Sequence, residues 1–222
     1  MLCNICGSDA VESFQTSDQK IYWNCSHCGG KFLDKDFLLK SNDEKERYLE
    51  HNNEIDDSEY RAFLAKLAIP LKEKILPSSR GLDFGCGHGP ALADMFKKDG
   101  FEVLLYDPFF YPDTKVLSQQ YDFITCTETA EHFHDPWKEF NMLNNLLKPG
   151  GWLGIMTCFL TTDDMFESWY YRRDPTHVTF YAEKTFQVIA SQRNWICEVQ
   201  SKDIVLLQKT KCSKPQLPLL SV

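Results

Sequence analysis

Residues 80–209 alternate short apolar strands with amphipathic helices, which predicts an α/β fold. The expected core is a doubly wound, mostly parallel sheet covered on both faces, with an antiparallel strand at its C-terminal edge. Two paired-cysteine turns within residues 1–40 place a small metal-held module in front of it, and a charged, periodic stretch over 41–79 reads as a helical bridge. The chain has 222 residues, 43% hydrophobic and 25% charged, which is ordinary globular usage and excludes disorder as the resting state. Four segments follow: 1–40, 41–79, 80–210, and a tail at 211–222 containing Pro215 and Pro218.

The first segment rests on Cys3-x-x-Cys6-Gly7 and Cys25-x-x-Cys28-Gly29, with eighteen residues between the pairs. Each turn brings two sulfurs together, and its glycine permits the tight bend. Two such turns supply four thiolates in a tetrahedron, the donor set of structural zinc, with no open position for chemistry. Lys20-Ile21-Tyr22-Trp23 reads as a strand leading into the second pair, so the module resembles a zinc ribbon. Nine cysteines is an odd count, and MLCNICGSDA does not read as an export signal. The expectation is a cytoplasmic protein in which metal ligation outweighs disulfides. The other five cysteines, Cys86, Cys126, Cys158, Cys197 and Cys212, stand alone and read as small buried apolar residues.

In the bridge, Ser41-x-x-Glu44 and Asp56-x-x-Glu59 predict capping boxes that each open a helix. Tyr60, Phe63, Leu64, Leu67 and Leu71 form one apolar face, and Pro70 predicts a kink or restart. Arg47, Tyr48, His51 and Asn53 gather near the end of the first helix and are candidates for a pocket wall.

The core domain opens with the strand Arg80–Phe84, the turn Gly85-Cys86-Gly87-His88-Gly89, and a helix beginning near Pro90 that Gly100 closes. Strands follow at 102–106 and 121–126, then a helix capped by Asp135 that stops at Lys148-Pro149-Gly150-Gly151. A buried strand at 152–157, a helix at 183–192 and a strand pair at 195–200 and 203–208 complete the unit. A glycine turn after a first strand lets a ligand approach the backbone, and an acid ending the second strand can hold ribose hydroxyls. Asp107 has that position, 22 residues after Gly85. The dinucleotide pattern G-x-G-x-x-G fails in both registers, ending on Pro90 or Leu92. The pattern acid-x-G-x-G-x-G is met instead by Asp83, Gly85, Gly87 and Gly89.

LDFGCGHG (82–89), Asp107, YDFITCTETAEHFHDP (121–136) and LLKPGGWLGIMT (146–157), taken in this order, resemble the class I S-adenosylmethionine-dependent methyltransferases, which have a Rossmann-like fold. The resemblance covers about three-fifths of the chain. It implies S-adenosylmethionine as cofactor, with Asp83, Gly85, Gly87 and Gly89 at its methionine end. Asp107 would bind its ribose, and Thr127 with Glu128 would close the pocket near the sulfonium. One departure stands out. Only thirteen residues separate Asp107 from Tyr121, where family members usually fit a further helix and strand. Pro108, Phe109 and Phe110 are candidates to pack on the adenine instead, or to serve as ordinary core.

Glu128-x-x-Glu131-His132 sets two carboxylates and an imidazole on one face if the segment is helical. A later loop, Arg172-Arg173-Asp174-Pro175-Thr176-His177, can return a second imidazole. This arrangement resembles the E-x-x-E-H plus distal His pattern of small-RNA 2′-O-methyltransferases and ubiquinone-pathway O-methyltransferases. The resemblance implies a second divalent ion on Glu128, Glu131, His132 and His177. The alternatives are a structural loop, or His132 or His177 acting as general base without metal. Trp169, Tyr170, Tyr171, Phe180 and Tyr181 are either core or the wall of an acceptor pocket, and beside Arg172 and Arg173 they lean toward a planar or anionic acceptor.

The function expected is methyl transfer to a small-molecule acceptor at oxygen, with C-methylation of a nucleotide sugar open. An RNA methyltransferase that docks through its ribbon is one alternative, and a non-catalytic adaptor that binds the cofactor is another. Charge opposes nucleic acid and membrane as partners: 24 basic against 32 acidic residues give a net charge of −8, and residues 1–40 carry −1.

Overall fold

A computed structural model describes residues 1–50, 54–161 and 166–211. The N-terminal segment forms three antiparallel strands, β1 (Val11–Gln15), β2 (Ile21–Cys25) and β3 (Lys31–Leu33). β2 lies between the other two, with Trp23 opposite Ser13 on one side and Phe32 on the other. The second cysteine pair is the turn of the β2–β3 hairpin.

The bridge departs from the expected caps. α1 (Ser41–Leu49) begins with Lys40 at the cap and no side-chain bond there, so the Ser41 box does not form. Glu44 instead turns inward and is buried. α2 (Ser58–Lys72) is capped by Asp57 rather than Asp56, its carboxylate accepting the amides of Glu59 at 2.8 Å and Tyr60 at 3.1 Å. The helix continues through Pro70, which falls in its last turn. Leu67 and Leu71 hold that turn against the sheet, where their methyl groups lie 3.0 and 3.1 Å from where a Cβ on Gly154 would sit. A larger residue at 154 would push the helix off.

The central unit runs β4 (Arg80–Phe84), α3 (Ala91–Lys98), β5 (Glu102–Tyr106), β6 (Tyr121–Thr127), α4 (Pro136–Leu146), β7 (Leu147–Met156), β8 (Thr179–Phe180), α5 (Glu183–Arg193), β9 (Trp195–Ser201) and β10 (Ile204–Lys209). Six of these strands form one sheet in the order β5-β4-β6-β7-β10-β9. The first four are parallel, while β10 runs antiparallel to both β7 and β9. This is the Rossmann-like mixed sheet with an antiparallel C-terminal edge. Side chains alternate across it as the strand period requires. Phe123, Ile204 and Leu206 pack with α2 and α3 on one face. Ile124, Val205 and Leu207 pack with Phe140 of α4 and Phe186 of α5 on the other.

Between β5 and β6 the chain makes only a short 3-10 turn, Thr114–Ser118. Among the described residues β5 therefore stands at the edge of the sheet. β8 joins neither β7 nor β10; it pairs with β3, giving a second sheet in the order β1-β2-β3-β8. Among the described residues no helix is long and apolar enough to cross a membrane.

Candidate active site

The glycine turn follows β4 directly. The Gly85 amide donates to Tyr106 O at 2.8 Å, which binds the turn to the end of β5. Gly85 has φ +75°, and a Cβ there would lie 2.1 Å from Thr129 Cγ2. Thr129 Oγ1 donates to Gly85 O at 3.0 Å, so the contact is tight by construction. Gly87, at φ +63°, has open space where its Cβ would point.

Asp107 organises the rim. Its Oδ2 accepts the Gly87 amide at 3.0 Å, and its Oδ1 accepts the amides of Phe109 at 2.8 Å and Phe110 at 3.0 Å. Beneath the turn Asp83 is buried and accepts from Thr125 Oγ1 at 2.7 Å. Burial pushes its carboxyl up to about 6, against the pull of that hydrogen bond.

These residues border a cavity of about 740 Å³ at the carboxyl ends of β4, β5 and β6, where ligands of open α/β sheets bind. Gly89, Pro108, Phe109, Phe110, Thr127 and Glu128 all line it. Thr127 Oγ1 is buried with no hydrogen-bond partner among the described residues, as expected of a hydroxyl that meets a ligand. A carboxylate rim, exposed turn backbone and an unused hydroxyl fit a cationic ligand bearing ribose hydroxyls. Glu128 opens into the cavity from a left-handed backbone position, φ +46°. Glu128 is exposed to solvent, and partial desolvation, with Glu131 and Asp203 near, raises its carboxyl above the usual carboxylate range.

The bridge supplies the roof. Tyr48 of α1 and Tyr60 and Phe63 of α2 line the cavity. The Tyr48 ring stands edge-on to His132 at 5.1 Å and packs on Phe109 at 5.6 Å. Glu44 accepts the Tyr48 hydroxyl at 2.9 Å and pairs with His134 at 3.4 Å. Arg47 reaches Asp174 through Nε at 3.1 Å and Nη2 at 2.9 Å. His51 and Asn53 lie outside the described residues.

Glu131, His132 and His177 present ligand atoms within 4.8 Å of one another. The segment from Glu128 is not a helix. The left-handed Glu128 is followed by a single 3-10 turn, Ala130–His132, and the Glu128 carboxylate falls outside this cluster. Four expected ligands contract to three. Glu131 is fully buried: the Tyr171 hydroxyl donates to its Oε1, and its Oε2 has no hydrogen-bond partner among the described residues. His132 Nδ1 meets Thr176 O at 2.9 Å, and His177 Nδ1 meets Tyr171 O at 2.7 Å. A ring nitrogen bonded to a carbonyl carries the proton, so in the neutral form each imidazole has its lone pair on Nε2. Burial holds His177 below the usual imidazole range, despite Glu131.

The aromatic cluster at 169–181 does not line the cavity. Tyr171, Phe180 and Tyr181 are core. Arg172 is buried and directed to Asp18 and Tyr22, and Arg173 is exposed. The lean toward an anionic acceptor therefore fails. Lys138 is the sole lysine or arginine on the cavity wall among the described residues, beside Glu44, Asp107, Glu128, Glu139 and Asp174.

Cys3, Cys6, Cys25 and Cys28 are all buried, with sulfurs within 4.8 Å of one another. Cys3 and Cys28 are 3.9 Å apart, and Cys6 and Cys25 3.7 Å. A tetrahedron of sulfurs 2.3 Å from zinc has edges of about 3.8 Å. Four buried thiolates cannot coexist without a cation, so the cluster is consistent with a zinc-binding module.

Residues 48–198, about two-thirds of the chain, match the family model described as methyltransferase domain. No curated protein is matched. Among solved structures, the 1,6-didemethyltoxoflavin-N1-methyltransferase of Burkholderia thailandensis, bound to 1,6-didemethyltoxoflavin and S-adenosylhomocysteine, resembles 90% of this chain and 99% of its own, with 13% identity and a TM-score of 0.54. The YcgJ protein of Bacillus subtilis is similar over 61% of this chain and 70% of its own, with 18% identity and a TM-score of 0.46. The N-methyltransferase NodS of Bradyrhizobium japonicum, with S-adenosylhomocysteine, covers 75% of this chain and 95% of its own at 16% identity and a TM-score of 0.46. At such identities the likeness is one of fold.

Proposed function

Because the chain belongs to the class I S-adenosylmethionine-dependent methyltransferases, we propose that it methylates a hydroxyl of a small-molecule acceptor, with Glu131, His132 and His177 holding a divalent ion beside the transfer site. Bound S-adenosylmethionine supplies an electrophilic methyl group, and the in-line displacement asks the protein chiefly for alignment and a dry chamber. Asp107 takes the ribose hydroxyls, while Asp83 and the turn Gly85–Gly89 hold the methionine end. Thr127 offers its unused hydroxyl, and Glu128 stands between cofactor and acceptor. Zinc on the four cysteines holds the ribbon and takes no part in the chemistry.

The observation that carries the oxygen reading is the buried Glu131 oxygen without a partner, next to two imidazoles whose Nδ1 atoms are committed to carbonyls. A hydroxyl acceptor must lose its proton, and Glu131, His132 and His177 would hold a divalent ion that would lower the hydroxyl's pKa. The mixed donor set suits manganese, iron or zinc as well as magnesium. Acidic walls with one lysine favour an uncharged acceptor over a phosphate-bearing one, which argues against RNA and nucleotide sugars.

The test is to dialyse the full chain against a chelator that spares the four-cysteine site and titrate it with Mn²⁺ by calorimetry. Transfer of labelled methyl groups to a panel of neutral hydroxyl compounds is then followed with and without the ion. The expected result is one Mn²⁺ site, lost in His177→Ala, and turnover restored by the ion. Methylation confined to amines, or turnover indifferent to both the ion and His177→Ala, would overturn it.

A further inference from the structure

The strand that follows His177 has no place in the central sheet. Among the described residues β8 pairs with β3 of the ribbon alone, Phe180 opposite Lys31 and Thr179 opposite Phe32, and the Leu33 amide donates to Val178 O at 2.8 Å. From β8 the connection continues inward. The Val178 amide donates to Glu131 O at 2.9 Å, and Thr179 Oγ1 donates to Phe133 O at 2.8 Å. β3, β8 and the turn bearing Glu131 and His132 are thus bonded in series.

Packing follows the same line. Tyr22 and Leu33 of the ribbon share one apolar cluster with Phe166, Tyr171, Val178 and Phe180. Arg172, 7% exposed, reaches across to Asp18 at 3.1 Å and to Tyr22 Oη at 3.3 Å. Tyr171, fixed in that cluster, touches the acceptor side twice: its hydroxyl bonds Glu131 and its carbonyl bonds His177 Nδ1. The cofactor side is reached less directly, through Thr129, whose Oγ1 donates to Gly85 O, and through Phe84, which shares an apolar cluster with the four cysteines. None of the hydrogen bonds given above for Asp83, Gly85, Gly87 or Asp107 reaches residues 1–40.

We infer that the four-cysteine module positions the acceptor side of the cavity: metal on Cys3, Cys6, Cys25 and Cys28 fixes the β2–β3 turn, β3 fixes β8, and β8 with Tyr171 sets Glu131 and His177. This rests on the zinc and acceptor-side readings above. Its consequence is a protein that, without zinc, still binds the cofactor but has lost the geometry of Glu131 and His177. Tyr171 is a positioning residue in this scheme and touches neither cofactor nor acceptor.

The experiment compares the full-length wild type with Cys25→Ser and with Leu33→Pro, which keeps all four cysteines but lacks the amide that bonds Val178 O. Zinc content, affinity for S-adenosylhomocysteine and hydrogen exchange by mass spectrometry are read in parallel. In both variants exchange over 130–133 and 174–181 is expected to accelerate by about tenfold or more, as local opening costs less. Exchange over 81–87 and affinity for S-adenosylhomocysteine stay within about threefold, a difference under 1 kcal/mol. The His177 Nδ1 proton, slow to exchange while bonded to Tyr171 O, should disappear from the NMR spectrum of both variants. Unchanged exchange at 174–181, or loss of protection and of S-adenosylhomocysteine binding together, overturns the inference. Failure of the underlying readings shows separately, as a wild type without zinc or without affinity for S-adenosylhomocysteine.

Discussion

Asp107 Oδ2 accepts the Gly87 amide at 3.0 Å across twenty residues of chain, which makes one carboxylate both the rim of the cavity and the brace of the glycine turn. Asp107→Ala removes an acceptor from three amides, those of Gly87, Phe109 and Phe110. Affinity for S-adenosylhomocysteine should fall by about a hundredfold or more, equivalent to about 3 kcal/mol. Calorimetry checks this, and unchanged affinity would remove Asp107 from the pocket.

Two glycines in the same turn should fail differently. Gly85→Ala combines φ +75° with a Cβ 2.1 Å from Thr129, so it should destabilise the fold by several kcal/mol, on the order of 3. Gly87→Ala, at φ +63° with no atom nearby, should cost only about 1 kcal/mol, yet its methyl group enters the cavity. Thermal melts and S-adenosylhomocysteine titrations should therefore separate: the first variant melts early, and the second melts near wild type but binds poorly.

Asp83 is expected to trade stability for binding. Burial raises its folded carboxyl from 3.8 to about 6, so between those values the folded state holds a proton that the unfolded state has released. Stability then declines as pH rises through that window, and at pH 7 the buried charge costs on the order of 3 kcal/mol. Asp83→Asn keeps an acceptor for Thr125 and should melt higher than wild type at pH 7, with the gap closing toward pH 4. Its affinity for S-adenosylhomocysteine should drop. Equal melting curves at pH 7 would show that the carboxylate costs the fold nothing.

How much of this was legible in the sequence differs between the two halves of the cavity. Gly85, Gly87 and Asp107 act through local backbone geometry, which residue type and spacing encode, and the short 107–121 interval announced that a helix and strand had gone. The cysteine pairs were equally plain. β1, β3 and β8 were not, because β3 and β8 span only three and two residues and β1 buries no residue, so all three exist through their pairing. Tyr171, Glu44 and Asp174 were hidden for a related reason: the Arg47–Asp174 pair joins positions 127 residues apart, a distance no local pattern spans. Glu128 misled, since its spacing to Glu131 suits a helix that its left-handed backbone prevents.

The Arg47–Asp174 bond ties the roof helix to the loop that leads into His177. Arg47 is partly exposed, so Arg47→Ala should cost the global fold no more than about 1 kcal/mol. The local effect should be larger. Amides of residues 44–49 should exchange several-fold faster, on the order of tenfold, because few other polar contacts hold α1 down. An unchanged exchange profile would mean that Glu44 and Tyr48 suffice as anchors.

The pairing of β3 with β8 also decides how this protein can recombine with others. A module held only by a linker can be exchanged as a cassette, one segment for one segment. Here the ribbon's fourth strand comes from beyond residue 178, so a ribbon transplanted by a join near residue 40 would have a sheet with an open edge and an apolar cluster missing most of its members. A viable exchange has to carry residues 1–40 and 166–181 as a matched pair. Substitutions in the two segments are therefore expected to be tolerated jointly where each alone is not.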